Sequence, residues 1–153
     1  MNDRASLLQS LLAERIVVLD GAMGTMIQRE RLTEEQFRGE RFRAWGRDLR
    51  GNNDLLTLTQ PALIRRLHLD YLAAGVDIIE TNTFNSTAVS LGDYGMEDLA
   101  YEINLAAARL AKGAAQEWEK RDRSRPRFVA GAIGPTTKTA SISPDKTTPV
   151  IET

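Results

Sequence analysis

The chain has 153 residues, of which 42% are hydrophobic, and its 20 basic and 21 acidic side chains leave a formal net charge of −1. This length suits about one domain with a buried core, and the balanced charge gives no electrostatic reason to expect a nucleic-acid or membrane-surface partner. No apolar run reaches the roughly 18 residues of a membrane span, no signal peptide is recognisable and cysteine is absent, so we expect a cytoplasmic protein without disulfides or thiolate metal ligands.

A helix and a strand are predicted first. The helix runs from Asp3, which can cap it, to about Arg15, because leucines recur on one face at spacings of three and four residues. These leucines are Leu7, Leu8, Leu11 and Leu12. The continuous apolar run from Ile16 to Leu19 then favours a strand buried on both faces, as in a parallel sheet.

The turn after this strand carries the main functional signal. The strand ends on Asp20, and Gly21 and Gly24 follow before a helical pattern resumes. Outward-pointing amides of such a turn can hold a carboxylate, and Asp20 fixes a negative charge beside them, so the pair suits an α-amino acid. The glycine spacing matches neither the dinucleotide fingerprint nor the P-loop. The alternative is that the glycines only turn the chain and Asp20 caps the next helix.

Short helices and a long loop are predicted next. A helix is expected from Thr25 to Leu32, and Thr33 with Gln36 has the pattern of a capping box that opens another brief helix. Glycine, asparagine and aspartate then interrupt all periodicity over residues 38–59, which predicts a long ordered loop of the kind that often binds ligands. Its arginines, Arg38, Arg41 and Arg43, are better explained as surface charges than as contacts to an anion.

A longer helix is predicted from Thr59, which caps it, to Gly75, with Pro61 in its first turn. Its buried stripe consists of Leu63, Ile64, Leu67, Tyr71 and Leu72. His68, the sole histidine of the sequence, lies beside this stripe and is expected to be a packed, hydrogen-bonded side chain rather than a metal ligand. A zinc site built from these residues alone is therefore not expected.

The second strand, residues 76–82, also ends on polar residues. Thr81, Asn82 and Thr83 can orient a polar substrate there, although capping of the following helix explains them equally well. A short helical turn at 86–91 precedes a long helix at 96–121, whose stripe is Leu99, Ile103, Ala106 and Leu110 with Trp118 near its end. A third strand at 128–133 leads into the turn 134–137 and a Ser/Thr-rich tail.

The order of these elements predicts an α/β fold with a parallel sheet and right-handed crossovers. The segments beyond the carboxyl ends of the strands are long, and both (β/α)₈ barrels and open α/β sheets build their sites there. A closed barrel usually needs around 250 residues, so in that case this chain would hold three of the eight units. Exposed sheet edges then predict a marginally stable or aggregation-prone species.

Several stretches together resemble the N-terminal homocysteine-binding domain of cobalamin-dependent methionine synthases. They occur in the expected order over nearly all of the chain: 18–25 (VLDGAMGT), 38–42 (RGERF), 51–56 (GNNDLL), 80–86 (ETNTFNS), 134–136 (GPT) and 139–145 (TASISPD). The second and last of these stretches look more like the cobalamin-dependent enzymes than like relatives that use betaine or S-methylmethionine.

This resemblance implies a (β/α)₈ TIM-type barrel in which zinc, held by three cysteines, activates the thiol of homocysteine. The thiolate would take the methyl group of methylcobalamin and give methionine. The resemblance places Asp20 at the ammonium of homocysteine and the amides of Gly21, Ala22 and Met23 at its carboxylate. The three polar residues Thr81, Asn82 and Thr83 would line the same mouth.

The resemblance also implies that residues 1–153 are an incomplete barrel domain. All three zinc ligands are missing, so we expect no catalytic or metal-binding residue in this chain and no turnover by it alone. Residues 146–153 also fit the family poorly. The partners implied are homocysteine, the rest of the barrel, and the cobalamin and folate domains of the same enzyme. The alternatives are a non-catalytic α/β binding module or remnant, and a barrel that uses betaine or S-methylmethionine as methyl donor.

Overall fold

The computed structural model describes residues 3–136, which form a helix-rich α/β unit around a small parallel sheet. Strands β1 (Ile78–Glu80) and β2 (Phe128–Ala130) pair in parallel, with Ile78 opposite Phe128. The helices are α1 (Asp3–Glu14), α2 (Met23–Arg29), α3 (Glu34–Arg38), α4 (Leu56–Thr59), α5 (Pro61–Ala74), α6 (Ala88–Leu91) and α7 (Ala100–Arg121). No helix in this range is long and apolar enough to cross a bilayer. The predicted stretch 139–145 and tail 146–153 lie outside the described residues.

The predicted first strand is reduced to a single bridge. Leu19 pairs in parallel with Ile78, and the amide of Asp20 donates to the Ile78 carbonyl at 3.0 Å. Three consecutive segments thus lie side by side in parallel, as predicted. The expectation that residues 16–19 are buried on both faces is wrong, because Ile16 is 85% exposed and Val18 is 48% exposed. An apolar run predicts extended backbone, but its burial depends on neighbours that residues 3–136 do not supply.

Helices α5 and α7 pack on the sheet and on each other. The predicted stripe of α5 is confirmed at Ile64, Leu67 and Leu72, which are fully buried, whereas Leu63 and Tyr71 are only half-buried. The helix begins at Pro61 and is capped at its end by Gly75, whose φ of 103° lies in the left-handed region that favours glycine. The predicted cap Thr59 is wrong. Thr59 ends α4 instead, where its hydroxyl donates to the carbonyl of Leu55 at 3.4 Å.

The buried face of α7 differs from the predicted stripe. Ile103 is buried as expected, but Ala106 and Leu110 are only half-buried. Small residues form the rest of the buried face: Ala107, Ala111, Ala114 and Ala115. Alanine is only weakly hydrophobic, so a row of alanines does not mark a buried helix face in a sequence. Their small side chains nevertheless let α7 approach α5 and β1 closely.

The segment 38–59 is ordered, as predicted, but its last part is helical rather than a loop. Asn53–Leu55 forms a 3₁₀ turn that continues into α4, and the Asn52 side chain caps the turn. The Arg38 guanidinium donates to the carbonyls of Arg43, Trp45 and Arg47, so it organises the segment from within. Arg41 pairs with Glu102 and Arg43 pairs with Glu40. The prediction of surface charges is thus confirmed for Arg41 and Arg43, whose side chains are 51% and 78% exposed, but not for Arg38, whose side chain is 18% exposed.

A buried ion cluster ties the amino-terminal ends of the parallel segments. The Asp77 carboxylate, 1% exposed, accepts two hydrogen bonds from Arg15 at 2.8 and 2.9 Å and one from the amide of Val18 at 3.0 Å. The buried guanidinium of Arg127 lies 3.5 Å away. The hydrogen bonds from Arg15, helped by the Val18 amide, lower the pKa of Asp77 to about 2.

His68 is fully buried in α5, which confirms that it is a packed side chain. The expected hydrogen bonds are absent, because neither ring nitrogen has a partner among residues 3–136. Burial lowers the pKa of His68 to about 4, so the ring is neutral at physiological pH.

Candidate functional site

A cavity of about 310 Å³ opens where the parallel segments end. Three stretches of the chain form its walls: the turn after Asp20, the polar residues after β1, and the 3₁₀ turn Asn53–Leu55. The lining residues are Asp20, Gly21, Ala22, Met23, Gly24, Asn53, Asp54, Glu80, Thr81, Asn82, Thr83, Phe84, Asn85 and Ala132. All seven site residues predicted from the sequence therefore line one cavity.

Asp20 stands at the junction of the first segment and β1. Its Oδ1 accepts a hydrogen bond from the amide of Glu80 at 2.9 Å, which fixes the carboxylate, while Oδ2 has no hydrogen-bond partner among the described residues. Burial raises the pKa of Asp20 to about 6, although the Glu80 amide opposes this shift. Asp20 therefore offers one free carboxylate oxygen, ionised at neutral pH, to a ligand in the cavity.

The turn that follows places backbone amides beside this carboxylate. Ala22, with φ 51°, adopts the left-handed conformation, and α2 begins at Met23 without a side-chain cap. The alternative in which Asp20 caps this helix is therefore wrong. Within residues 3–136, no acceptor is hydrogen-bonded to the amides of Gly21, Ala22 or Met23. A carboxylate in the cavity would find three donors at this turn.

Thr81 and Thr83 shape the cavity by bonding to the end of β2. The Thr83 hydroxyl donates to the carbonyl of Ala132 at 2.8 Å, so in the 2.6 Å pair between the two hydroxyls Thr81 is the donor. Thr81 in turn accepts from the amide of Ala132 at 3.0 Å. Both hydroxyl protons are used inside the protein, so the two threonines hold the wall in place and cannot donate to a ligand.

Asn82 ties the same wall to the long segment. Its side-chain nitrogen donates to the carbonyl of Asn53 at 2.8 Å and to the hydroxyl of Thr57 at 3.3 Å. Both amide hydrogens are thus occupied, and no donor within the part of the chain that the structure describes bonds to the amide oxygen. Capping of the next helix does not explain residues 81–83, because Thr87 caps α6 through the amide of Ser90.

Asp54 also lines the cavity, although no pattern in the sequence indicated it. Asp54 is 3% exposed, and its Oδ2 accepts hydrogen bonds from the amide of Asn85 at 2.6 Å and the hydroxyl of Ser86 at 2.9 Å. Burial raises its pKa, and these hydrogen bonds oppose the shift. In the sequence, Asp54 is an acidic residue that follows two asparagines inside a predicted ordered loop. A loop has no periodicity from which the direction of a side chain could be predicted.

The residues present do not fit a zinc site. The sequence has no cysteine, and residues 3–136 contain no cluster of three histidine, aspartate or glutamate side chains arranged to hold a metal ion. Thiolate ligands of the kind that the resemblance implies cannot come from this chain. Its contribution to the site is therefore the carboxylates, amides and shaped wall described above.

Comparison with known proteins gives a consistent picture. The family described as homocysteine S-methyltransferase has a model that matches residues 17–152. Among solved structures, the homocysteine methyltransferase MmuM from Escherichia coli is 25% identical, with a TM-score of 0.64 for its oxidized form and 0.63 for its metallated form. Each alignment covers 84% of this chain, which spans only 40% and 41% of the respective MmuM chains. Since the family model covers most of the sequence, this chain belongs to the homocysteine S-methyltransferase family.

Proposed function

We propose that this chain provides the amino-acid-binding part of an enzyme that methylates homocysteine to methionine. The observation that carries this proposal is that one cavity is lined by Asp20, by a turn with three amides that have no acceptor among residues 3–136, and by the polar stretch after β1. The free oxygen of Asp20 would bind the ammonium of homocysteine. The amides of Gly21, Ala22 and Met23 would bind its carboxylate.

The polar wall has a different role in this proposal. Thr81 and Thr83 fix the distance between the ends of β1 and β2, and Asn82 presents its amide oxygen as a further acceptor. The α-carbon of an amino acid bears both an ammonium and a carboxylate group. A site for it therefore needs a negatively charged partner and hydrogen-bond donors close together. Family membership supports homocysteine as this amino acid rather than one without a thiol.

The methyl donor is proposed to be methylcobalamin, which makes the whole protein a methionine synthase. The stretches RGERF and TASISPD support this choice over betaine or S-methylmethionine. Zinc, when bound, would lower the pKa of the homocysteine thiol, and its ligands would come from polypeptide outside this sequence. The remaining barrel units and the cobalamin and folate domains are the partners that this proposal requires.

Titration calorimetry with L-homocysteine tests the binding role. Asp20→Asn removes the negative charge but keeps an oxygen for the Glu80 amide, so the Kd is expected to rise about tenfold or more, as for loss of a charged hydrogen bond. Asp98→Asn, at an exposed aspartate, is the matched control and should leave the Kd unchanged. Equal affinities of the native chain and Asp20→Asn would contradict the proposal.

A further inference from the structure

A second cavity, of about 430 Å³, lies beside β2 and shares no lining residue with the candidate site. Its walls come from α1, α7 and the two strands, and its apolar side chains include Leu8, Ile78 and Phe128. Arg127, the residue before β2, also lines this cavity and is only 3% exposed. The cavity therefore combines an apolar wall with a buried positive charge.

Arg127 is poorly paired for a buried cation. Its Nη1 lies 3.5 Å from Oδ1 of Asp77, which is the limit of a hydrogen bond, and its Nε is buried without a hydrogen-bond partner among residues 3–136. Asp77 already accepts two hydrogen bonds from Arg15 and one from the amide of Val18, all of 2.8 to 3.0 Å. Two guanidinium groups thus share one carboxylate. A buried charged donor without an acceptor is costly, so a further acceptor at Arg127 would be stabilising.

The charges around the second cavity do not supply this acceptor. Its described lining contains one acidic residue, Glu119, whose carboxylate accepts from the Arg4 guanidinium at 2.7 Å and from the backbone amide of Arg127 at 2.8 Å. Lys112 also lines the cavity and has no acidic partner within the described part of the chain. Positive charge is therefore in excess, and a carboxylate suits Arg127 better than a neutral acceptor.

The free edge of β2 shows from which side a carboxylate can come. The amide of Phe128 donates to the carbonyl of Asp77 at 2.8 Å, and two residues later the carbonyl of Ala130 accepts from the amide of Thr81 at 2.9 Å. Both residues thus bond toward β1. The amide and carbonyl of Val129, between them, point to the opposite edge, where residues 3–136 supply no partner strand. An edge of this kind readily pairs with a further strand.

We propose that the free edge of β2 binds a further parallel strand, and that an aspartate or glutamate at the amino end of this strand bonds to Arg127. This inference rests on the proposed function, because the strand would belong to the barrel units that complete the enzyme. Arg127 then lies between two carboxylates, that of Asp77 and that of the added strand. Together with Arg15, these groups alternate in charge along the amino ends of neighbouring segments, so the added strand is recognised by its charge as well as by its apolar side chains.

The substitution Arg127→Met, made in this chain and in the complete enzyme, tests the inference. In the 153-residue chain it removes a cation with one long contact while Asp77 keeps Arg15, so the urea midpoint of unfolding should change by less than about 0.3 M. In the complete enzyme it leaves the carboxylate of the added strand buried alone, and the midpoint of the homocysteine-binding domain should fall by about 1 M or more. Arg123→Met, at an exposed arginine nearby, is the matched control and should change neither midpoint.

The outcomes separate this inference from the proposed function. Equal shifts in the two polypeptides overturn the inference, because Arg127 then needs no partner from outside this chain, and the proposed function stands. A neutral residue at the start of the strand beside β2 in the complete enzyme also overturns it, even if Arg127→Met does not fold. If Asp20→Asn fails to weaken homocysteine binding, the proposed function is wrong, whereas the urea midpoints still test Arg127, which lines a different cavity.

An acidic residue at that position allows a double-mutant cycle. Its replacement by the corresponding amide should lower the midpoint of the complete enzyme about as much as Arg127→Met does. The double variant should lower the midpoint by clearly less than the sum of the two single effects, because the two groups contact each other. Additive effects would show that the acidic residue does not bond to Arg127, and the inference would be wrong.

Discussion

Single residues show which parts of the site a sequence reveals. Asp20 was predictable because it ends an apolar run and precedes two glycines, a local pattern with few structural explanations. Asp54 was not, since its position depends on hydrogen bonds to Asn85 and Ser86, which are more than 30 residues away. The roles of Thr81 and Thr83 were also hidden, because only the structure shows that Thr81 donates its hydroxyl proton to Thr83 and that Thr83 donates its own to the carbonyl of Ala132.

His68 is the residue with the clearest effect on pH stability. Its folded-state pKa of about 4 lies below its ordinary value of 6.5, so the unfolded chain binds a proton first as the pH falls. Stability should therefore decrease between about pH 6.5 and pH 4. His68→Leu removes this titration and two unsatisfied nitrogens, and we expect its free energy of unfolding to be about 1 kcal/mol higher at neutral pH, with a larger advantage at pH 5.

Urea unfolding of both proteins at several pH values measures this effect. Because His68 is the sole histidine of the sequence, the difference between native and variant stability isolates its titration from that of the carboxylates. A difference that stays constant from pH 7 to about pH 4.5 would show that the folded ring is protonated as easily as the unfolded one. In that case a donor or acceptor must reach the ring in solution.

Among the elements, α5 was predictable in its extent and in the centre of its buried face, and α7 only in its extent. The stripe of α5 consists of large apolar residues bounded by Pro61 and Gly75, so periodicity and end signals agree. The buried face of α7 is mostly alanine, which is too weakly hydrophobic to mark a face when larger apolar residues flank it. Its orientation is set by how closely α5 and β1 can approach, which is a tertiary property.

Overpacking tests this account of α7. Ala111 is fully buried against Leu72 and Ile79, so Ala111→Leu must push α7 away from α5 or β1. We expect a loss of about 1–3 kcal/mol in the free energy of unfolding, measured by chemical denaturation. Ala108→Leu, on the exposed face of the same helix, adds the same atoms and should change stability by less than about 0.5 kcal/mol. Equal effects of both substitutions would refute close packing at Ala111.

At the scale of the whole molecule, the two ends of the parallel segments are specialised differently. The carboxyl ends carry the cavity, which the carboxylates of Asp20 and Asp54 line. The amino ends carry the Asp77 cluster, in which one buried carboxylate joins Arg15, Val18 and Arg127. The sequence predicted the parallel arrangement but not this cluster, because its members are about 50 to 60 residues apart and no local pattern connects them.

The Asp77 cluster should decide whether the three segments stay together in acid. The pKa of Asp77 is lowered to about 2 from its ordinary value of 3.8, so its stabilisation is complete above about pH 4 and is lost as the pH falls through about 2. Asp77→Asn leaves the buried guanidinium of Arg127 without its anion, and we expect it to cost about 3–5 kcal/mol at neutral pH. Denaturant unfolding from about pH 6 to pH 2 should show the gap to the native protein closing in acid.

The control for this prediction is Asp70→Asn, at a half-exposed aspartate that pairs with Arg66 on the surface of α5. It should cost less than about 1 kcal/mol, because solvent screens such pairs. If Asp77→Asn is too unstable to purify, Arg15→Gln tests the same cluster, since it removes the two hydrogen bonds that contribute most to the low pKa of Asp77 while Arg127 keeps its partner. The prediction is wrong if the stability of the native protein does not fall relative to that of Arg15→Gln between pH 4 and pH 2. Asp77 would then not hold the segments together, and the parallel arrangement would depend on the packing of α5 and α7 alone.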